Sequence, residues 1–302
     1  MSSQNTLYLQ NTLFSEDVSI YIVSDLHMGD GSATDNFILV RPRFEKFLEM
    51  VKADECAILI LDGDILEMWQ AELGDILETN WELISQLLKI QTYYVIGNHD
   101  IGMDGFVTLP INTNGMANIR FVNEIRILRN GKNIRIIHGH QFDPYNVSDK
   151  ATFVGKIISL ITAILEHKYP QSGIENRMRK VIEPILRSIV SFTDNLWKTL
   201  FGKPGKDLSG LHIILDIYHQ QYPDEILITG HTHQPGWWCD YYVNAGSWQE
   251  TDVSHYVKID KNGGITLHEF PGNAIITKQV DLYGYMSVEK VKDIYNNRGP
   301  LF

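Results

Sequence analysis

Short apolar runs recur along this chain, and most of them stop at an acidic or imidazole side chain. Residues 19–24 (SIYIVS), 57–61 (AILIL) and 92–96 (TYYVI) are rich in β-branched and aromatic residues and too short for helices. Each predicts a strand. Between them, residues 44–51 and 81–88 carry apolar positions at helical spacing. Strand–helix–strand alternation predicts a sheet covered by helices, and ligands of such sheets collect beyond the carboxyl ends of the strands. Residues 125–128 and 134–137 flank Asn130-Gly131, a dipeptide suited to a type I′ turn, and predict a hairpin. The runs 226–229, 241–243 and 255–259 predict further strands, with a turn at Asn262-Gly263-Gly264, and residues 287–296 a last helix.

The pattern changes between about residues 144 and 210. Val154, Ile157, Ile158, Ile161 and Leu165 repeat at helical spacing, as do Ile182, Ile185, Leu186 and Ile189, followed by Leu196, Trp197, Leu200 and Phe201. This stretch holds ten Lys/Arg against six Asp/Glu, in a chain whose formal charge is −11. We read it as a helical insertion. The organisation expected is a core over 1–143, an insertion over 144–212 and the rest of the core over 213–302. The insertion packs as a plain helical hairpin, caps a substrate or docks on a membrane or protein.

A chain of 302 residues, 44% of them hydrophobic, can bury a substantial core. The acidic balance argues against a basic duplex-binding surface, so no nucleic-acid partner is expected. It leaves phosphate substrates open, because bound cations invert the charge inside a cleft. No secretory signal and no apolar run of spanning length is seen, which makes the cytoplasm the expected compartment, with the inner membrane face as a peripheral site. Cys56 and Cys239 form no framework and are expected to be small buried hydrophobes.

Five short motifs carry the chemistry: Asp25-Leu26-His27, Gly63-Asp64, Gly97-Asn98-His99-Asp100, His138-Gly139-His140 and Gly230-His231-Thr232-His233. Four directly follow an apolar run, and a strand end holds a ligand better than a mobile loop does. Singly they are weak, since Gly-Asp often makes a turn and Asp-x-His occurs on surface loops. Together they supply carboxylate, imidazole and amide oxygen without thiolate, a mixture suited to first-row divalent ions. Two such ions with a shared carboxylate polarise a phosphoryl oxygen and acidify a water that attacks phosphorus.

This order of motifs resembles the calcineurin-like metallophosphoesterase superfamily, over roughly residues 18–140 and 213–270. The resemblance implies an α/β fold, a four-layered αββα sandwich, here with an inserted helical lid. It implies two divalent ions, manganese first, iron or zinc as alternatives. By motif position Asp25, His27 and His233 hold one ion, Asn98, His138 and His231 the other, and Asp64 bridges both. His99, paired with Asp100, contacts the phosphate or protonates the leaving oxygen. Within the superfamily, GDILEMW at 63–69, GHTHQP at 230–235 and VNAGSW at 243–248 look most like the UDP-2,3-diacylglucosamine hydrolases. Those enzymes carry a helical lid at the same place, one that holds acyl chains. That subfamily has Arg where His99 stands and H-G-D in place of His138-Gly139-His140.

The expected activity is hydrolysis of a phosphoanhydride or phosphodiester, with a nucleotide- or lipid-linked diphosphate as substrate. The alternatives are a cyclic-nucleotide phosphodiesterase or nuclease on the same fold, and a scaffold that has lost catalysis. Glu67 supports a ligand or is a plain solvated glutamate. His140 supports a ligand, touches substrate or is structural. His167, His212, His219, His255 and His268 lack motif context and are expected to be structural or exposed.

Overall fold

The computed structural model describes residues 6–10, 18–32, 34–108, 118–142, 210–238, 240–249, 252–272 and 275–276. The strands are β1 Thr6–Gln10, β2 Ser19–Val23, β3 Ala57–Asp62, β4 Gln91–Val95, β5 Ile119–Val122, β6 Glu124–Arg129, β7 Lys132–Ile136, β8 Glu225–Thr229, β9 Gly236–Trp238, β10 Tyr242–Asn244, β11 Ser254–Ile259 and β12 Ile265–Phe270. The helices are α1 Phe37–Ala53, α2 Leu73–Thr79, α3 Trp81–Leu87, α4 Asp104–Thr108 and α5 Gly210–Gln221.

Two mixed six-stranded sheets form among the described residues, one in the order β1-β6-β7-β8-β10-β9 and the other β12-β11-β2-β3-β4-β5. β2, β3 and β4 run parallel, so their carboxyl ends lie side by side. Their apolar residues are buried on both faces, as parallel strands require. Ile20, Ile22, Ile58, Ile60 and Val95 of one sheet pack with Ile125, Ile134, Ile136, Ile228 and Val243 of the other. Tyr21, Val23, Leu59, Leu61 and Tyr94 point the opposite way, onto Phe37, Val40, Phe44, Phe47, Leu48 and Val51 of α1 and Leu83 of α3. The order is therefore helix, sheet, sheet.

The β6–β7 hairpin turns at Asn130 (φ 48°) and Gly131 (φ 76°), both left-handed, as a type I′ turn demands. α1 begins at Phe37, well before residue 44, and accommodates Pro42 within it. Cys56 is exposed in the turn between α1 and β3, which corrects the expectation of burial. Cys239, His167 and the helix expected over 287–296 lie outside the described residues. So does nearly all of the expected insertion.

By its internal contacts the chain divides into two compact units. One comprises Met1–Gly31, Asp35–His140 and Gln221–Asp281 and contains both sheets. The other comprises Ser32–Thr34, Gln141–Gln220 and Leu282–Phe302. Within the second, Phe142 meets Tyr218 of α5 edge-on, with ring centroids 5.8 Å apart. Among the described residues no helix is long and apolar enough to cross a membrane.

Candidate metal centre

The loops that leave β2, β3, β4, β7 and β8 carry the five motifs, and backbone hydrogen bonds lace them together. Asp25 N–H donates to Gly63 C=O (3.1 Å), His27 N–H to Asp64 C=O (2.9 Å) and Gly230 N–H to His138 C=O (3.0 Å). Asp25, His27, Asp64, His231 and His233 all have φ between 48° and 66°. Left-handed backbone is uncommon outside glycine and costs roughly 1–3 kcal/mol per residue, strain that clusters at functional sites.

The motif glycines leave room for the neighbouring motif. A Cβ on Gly63 would lie 2.4 Å from the His138 ring, one on Gly97 2.2 Å from Asp64 Oδ1, and one on Gly230 1.7 Å from Ser24 Oγ and 2.3 Å from Asp25 Oδ2. Each glycine is the gap into which another loop's polar group fits.

Three groups of potential donors result among the described residues, one of them His27, Glu67 and His99. Potential donor atoms of Asp25, His27 and His233 all lie within 4.8 Å of one another, as do those of Asp64, His138 and His231. His233 Nε2 is 3.1 Å and His27 Nε2 3.7 Å from Asp25 Oδ1, and His138 Nε2 is 3.1 Å from Asp64 Oδ2.

The outward atoms of these side chains are already occupied. Asp25 Oδ2 accepts from the Ser24 hydroxyl (2.5 Å) and from His231 N–H (2.9 Å). Asp64 Oδ1 accepts from His99 N–H (2.8 Å). His138 Nδ1 lies 2.7 Å from the Asp62 carbonyl, an acceptor only, so Nδ1 must carry the proton. What remains is a set of buried atoms with no hydrogen-bond partner: Asp25 Oδ1, His27 Nε2, Asn98 Oδ1 and His138 Nε2. Buried polar atoms are normally satisfied, so buried motif atoms without a hydrogen-bond partner fit a bound electrophile. The donor set fits two divalent first-row cations.

Electrostatics agree. Burial alone would raise the Asp25 and Asp64 carboxyls, yet the histidines around them hold both well below the usual carboxylate range. Burial opposes charge on His138, but Asp64 and Asp25 push it up to about 10 without metal. Burial likewise works against a charged His27, and Asp25 and Glu67 overcome it and raise its pKa. The carboxylates thus stabilise positive charge at the place where cations would sit.

Glu67 is not a solvated glutamate. It is buried, and its carboxylate accepts from His27 Nδ1 (2.7 Å) and from His99 Nδ1 (2.8 and 2.9 Å). Burial would raise its carboxyl, but these two hydrogen bonds bring it down to about 2. It therefore fixes the tautomer of both rings and turns each Nε2 away from itself.

Asp100 does not pair with His99, which corrects the expected dyad. Its Oδ1 accepts from Gly97 N–H (2.6 Å), and its Oδ2 from Tyr94 Oη (2.6 Å) and Ile65 N–H (2.8 Å). The turn over 97–100 directs this side chain inward, where it satisfies backbone amides and joins two ligand loops. Burial, then Asp64, raises its pKa.

His140 stands beside the second group, its ring centroid 5.6 Å from that of His138 and 6.4 Å from that of His231. Burial, with His138 and His231 beside it, lowers its pKa to about 3, so it is neutral at pH 7. Its buried Nδ1 has no hydrogen-bond partner. His255 is buried, and His268 stacks on Tyr256 with centroids 4.8 Å apart.

Ser24, Trp69, Tyr94 and Asn244 went unnoticed as site residues. Asn244 Nδ2 donates to Gly230 C=O (2.6 Å) and Thr232 Oγ1 (3.0 Å), bracing the last histidine loop. The sequence offered a hint for Asn244, through VNAGSW, and for Trp69, the last residue of GDILEMW.

The sequence model of calcineurin-like phosphoesterases matches residues 18–235. No curated protein matches the chain. Similar solved structures include an archaeal phosphodiesterase (13% identity, 83% of this chain, 99% of that one, TM-score 0.40). Others are a dimetal phosphatase from Danio rerio (11%, 89% and 99%, 0.42) and GAP50, the anchor in the inner membrane complex of Plasmodium (12%, 94% and 96%, 0.44).

Proposed function

The chain belongs to the calcineurin-like phosphoesterase family and is a metal-dependent phosphoester hydrolase, and on that premise we propose how its residues divide the work. Asp25, His27 and His233 would hold one divalent ion, Asn98, His138 and His231 a second, and Asp64 would be shared. The grouping of donor atoms from Asp25, His27 and His233, and from Asp64, His138 and His231, each set within 4.8 Å, is the observation that carries this reading. When bound, such a pair supplies Lewis-acid polarisation of the phosphoryl group and a water acidified toward neutral pH. Manganese is the ion we expect, since hard and borderline donors mix here without thiolate.

The protein residues then position and move protons. Ser24 and the His231 amide hold Asp25 Oδ2, which leaves Oδ1 as the atom that would bind an ion. The Asp62 carbonyl does the same for His138 Nε2, and Glu67 for His27 Nε2. Because Glu67 accepts from His99 Nδ1, His99 presents Nε2 to substrate, where it contacts the phosphate or gives a proton to the leaving oxygen. Asp100 acts behind this group, holding the loop in place.

The substrate we propose is a nucleotide- or lipid-linked diphosphate of the UDP-2,3-diacylglucosamine type. GDILEMW at 63–69 and GHTHQP at 230–235 support this, as does a net-basic segment at 144–210 suited to capping a lipid with an anionic head at a membrane surface. His99 and His140 depart from that subfamily, so the phosphate environment is this chain's own. The test is hydrolysis by the manganese-loaded protein. Release of UMP from UDP-2,3-diacylglucosamine supports the substrate. Cleavage confined to soluble cyclic nucleotides or nucleic acid refutes it, while leaving the hydrolase and its metal centre intact.

A further inference from the structure

The Glu67 hydrogen bond does not by itself hold the His99 ring. A ring tethered at Nδ1 can still pivot about that contact and swing Nε2 away from the phosphorus. Trp69 removes the pivot. Its indole stacks on the His99 ring with centroids 3.8 Å apart and planes 18° from parallel. The His27 ring meets His99 edge-on, with centroids 4.5 Å apart and an interplanar angle of 86°. Trp69 is itself anchored, because its Nε1–H donates to the Asn98 carbonyl at 2.9 Å. One side chain thus fixes both the peptide that precedes His99 and the plane of its ring. A buried or half-buried indole usually finds such a partner for its N–H, and here that partner lies in the motif it supports.

Trp69 lies two residues beyond Glu67 in the same loop after β3. That loop therefore supplies the hydrogen bond that orients His99 and the flat surface that flattens its motion. We propose that Trp69 is a positioning residue that aims His99 Nε2 at the leaving oxygen, so that proton delivery depends on the stack. The proposal rests on the reading of His99 as the proton donor.

Leaving-group dependence separates positioning from general support. Proton donation matters most for a strongly basic leaving oxygen and little for nitrophenolate. The measurement is kcat and KM of the manganese-loaded full chain over aryl and alkyl phosphate esters of graded leaving-group acidity. Wild type is compared with Trp69→Leu, Trp69→Phe and His99→Ala, and manganese affinity is followed by calorimetry. Trp69→Leu should lower kcat for the alkyl ester by about 10-fold or more, and for the nitrophenyl ester by far less. Its slope against leaving-group pKa should move toward that of His99→Ala, with KM and manganese affinity little changed. Trp69→Phe keeps a stacking ring and should restore most of the wild-type slope.

A wild-type slope in Trp69→Leu beside a steepened one in His99→Ala would overturn the proposal and spare the role of His99. An equal loss across all esters, or a loss of manganese affinity that accounts for it, would also overturn it. A slope unchanged in His99→Ala would remove the proton-donor reading itself, and the proposal with it.

Discussion

Replacing Gly97 by alanine puts a methyl carbon 2.2 Å from Asp64 Oδ1 and 2.3 Å from the Asp64 amide nitrogen. Carbon does not approach such atoms closer than about 3.0 Å, so the two loops must part by about 0.8 Å. Neither side yields easily. The Asp64 amide is backbone, Oδ1 is held by His99 N–H at 2.8 Å, and Gly97 N–H is tied to Asp100 at 2.6 Å. Overpacking of this kind costs about 1–3 kcal/mol, or a fall in Tm of roughly 2–10 °C. The larger effect falls on function. A shift approaching 1 Å in the carboxylate assigned to both ions should lower kcat/KM by about 100-fold. Thermal unfolding of the metal-free protein and hydrolysis of bis-p-nitrophenyl phosphate with manganese measure the two effects. A Gly97→Ala protein with wild-type Tm and kcat/KM would refute the interlocking of the loops.

Other consequences follow from the same geometry. Glu67→Gln leaves one acceptor where two imidazole N–H groups need one each, so activity should fall about 10- to 100-fold, with weakened manganese binding. Calorimetry and kinetics measure this, and unaltered values in both would contradict the dual role of Glu67. Asp100→Ala strands Gly97 N–H, Ile65 N–H and Tyr94 O–H, and should cost about 3 kcal/mol in urea unfolding. Unchanged stability would contradict that role. His138, raised to about 10, carries an extra proton at pH 7 without metal, and His27 is shifted in the same direction by Asp25 and Glu67. Manganese uptake should therefore release the His138 proton, read by calorimetry in buffers of differing ionisation enthalpy. The sign for stability follows. The His138 contribution to the metal-free fold is complete below about 6.5 and fades as pH rises through about 10.

The parts of this protein that were legible in its sequence are those governed by local rules. Asn130-Gly131 announced its turn because two successive left-handed residues need those side chains. The runs at β2, β3 and β4 announced themselves because strands buried on both faces are continuously apolar. β1 and β5 were missed, being short and supplemented by pairing across the chain, which no local pattern records. α1 extends ahead of the apolar spacing at 44–51, because tertiary packing of Phe37 and Val40 carries the helix through Pro42. Motif spacing identified the side chains that converge, but not their partners. Asp100 follows His99 directly and invited a dyad. The chain instead turns Asp100 inward, and Glu67, remote in sequence, takes its place. Long-range hydrogen bonds of this kind follow from the paths of loops, which the residues at either end do not encode by themselves.

The most direct test of the metal centre is a crystal structure of the manganese-soaked protein with anomalous scattering, paired with hydrolysis by Asp64→Ala. Two ions per chain are expected, one among Asp25, His27 and His233 and one among Asn98, His138 and His231, with Asp64 touching both and activity lost in the variant. A single ion, ions held by other residues, or full hydrolysis by Asp64→Ala would contradict this assignment.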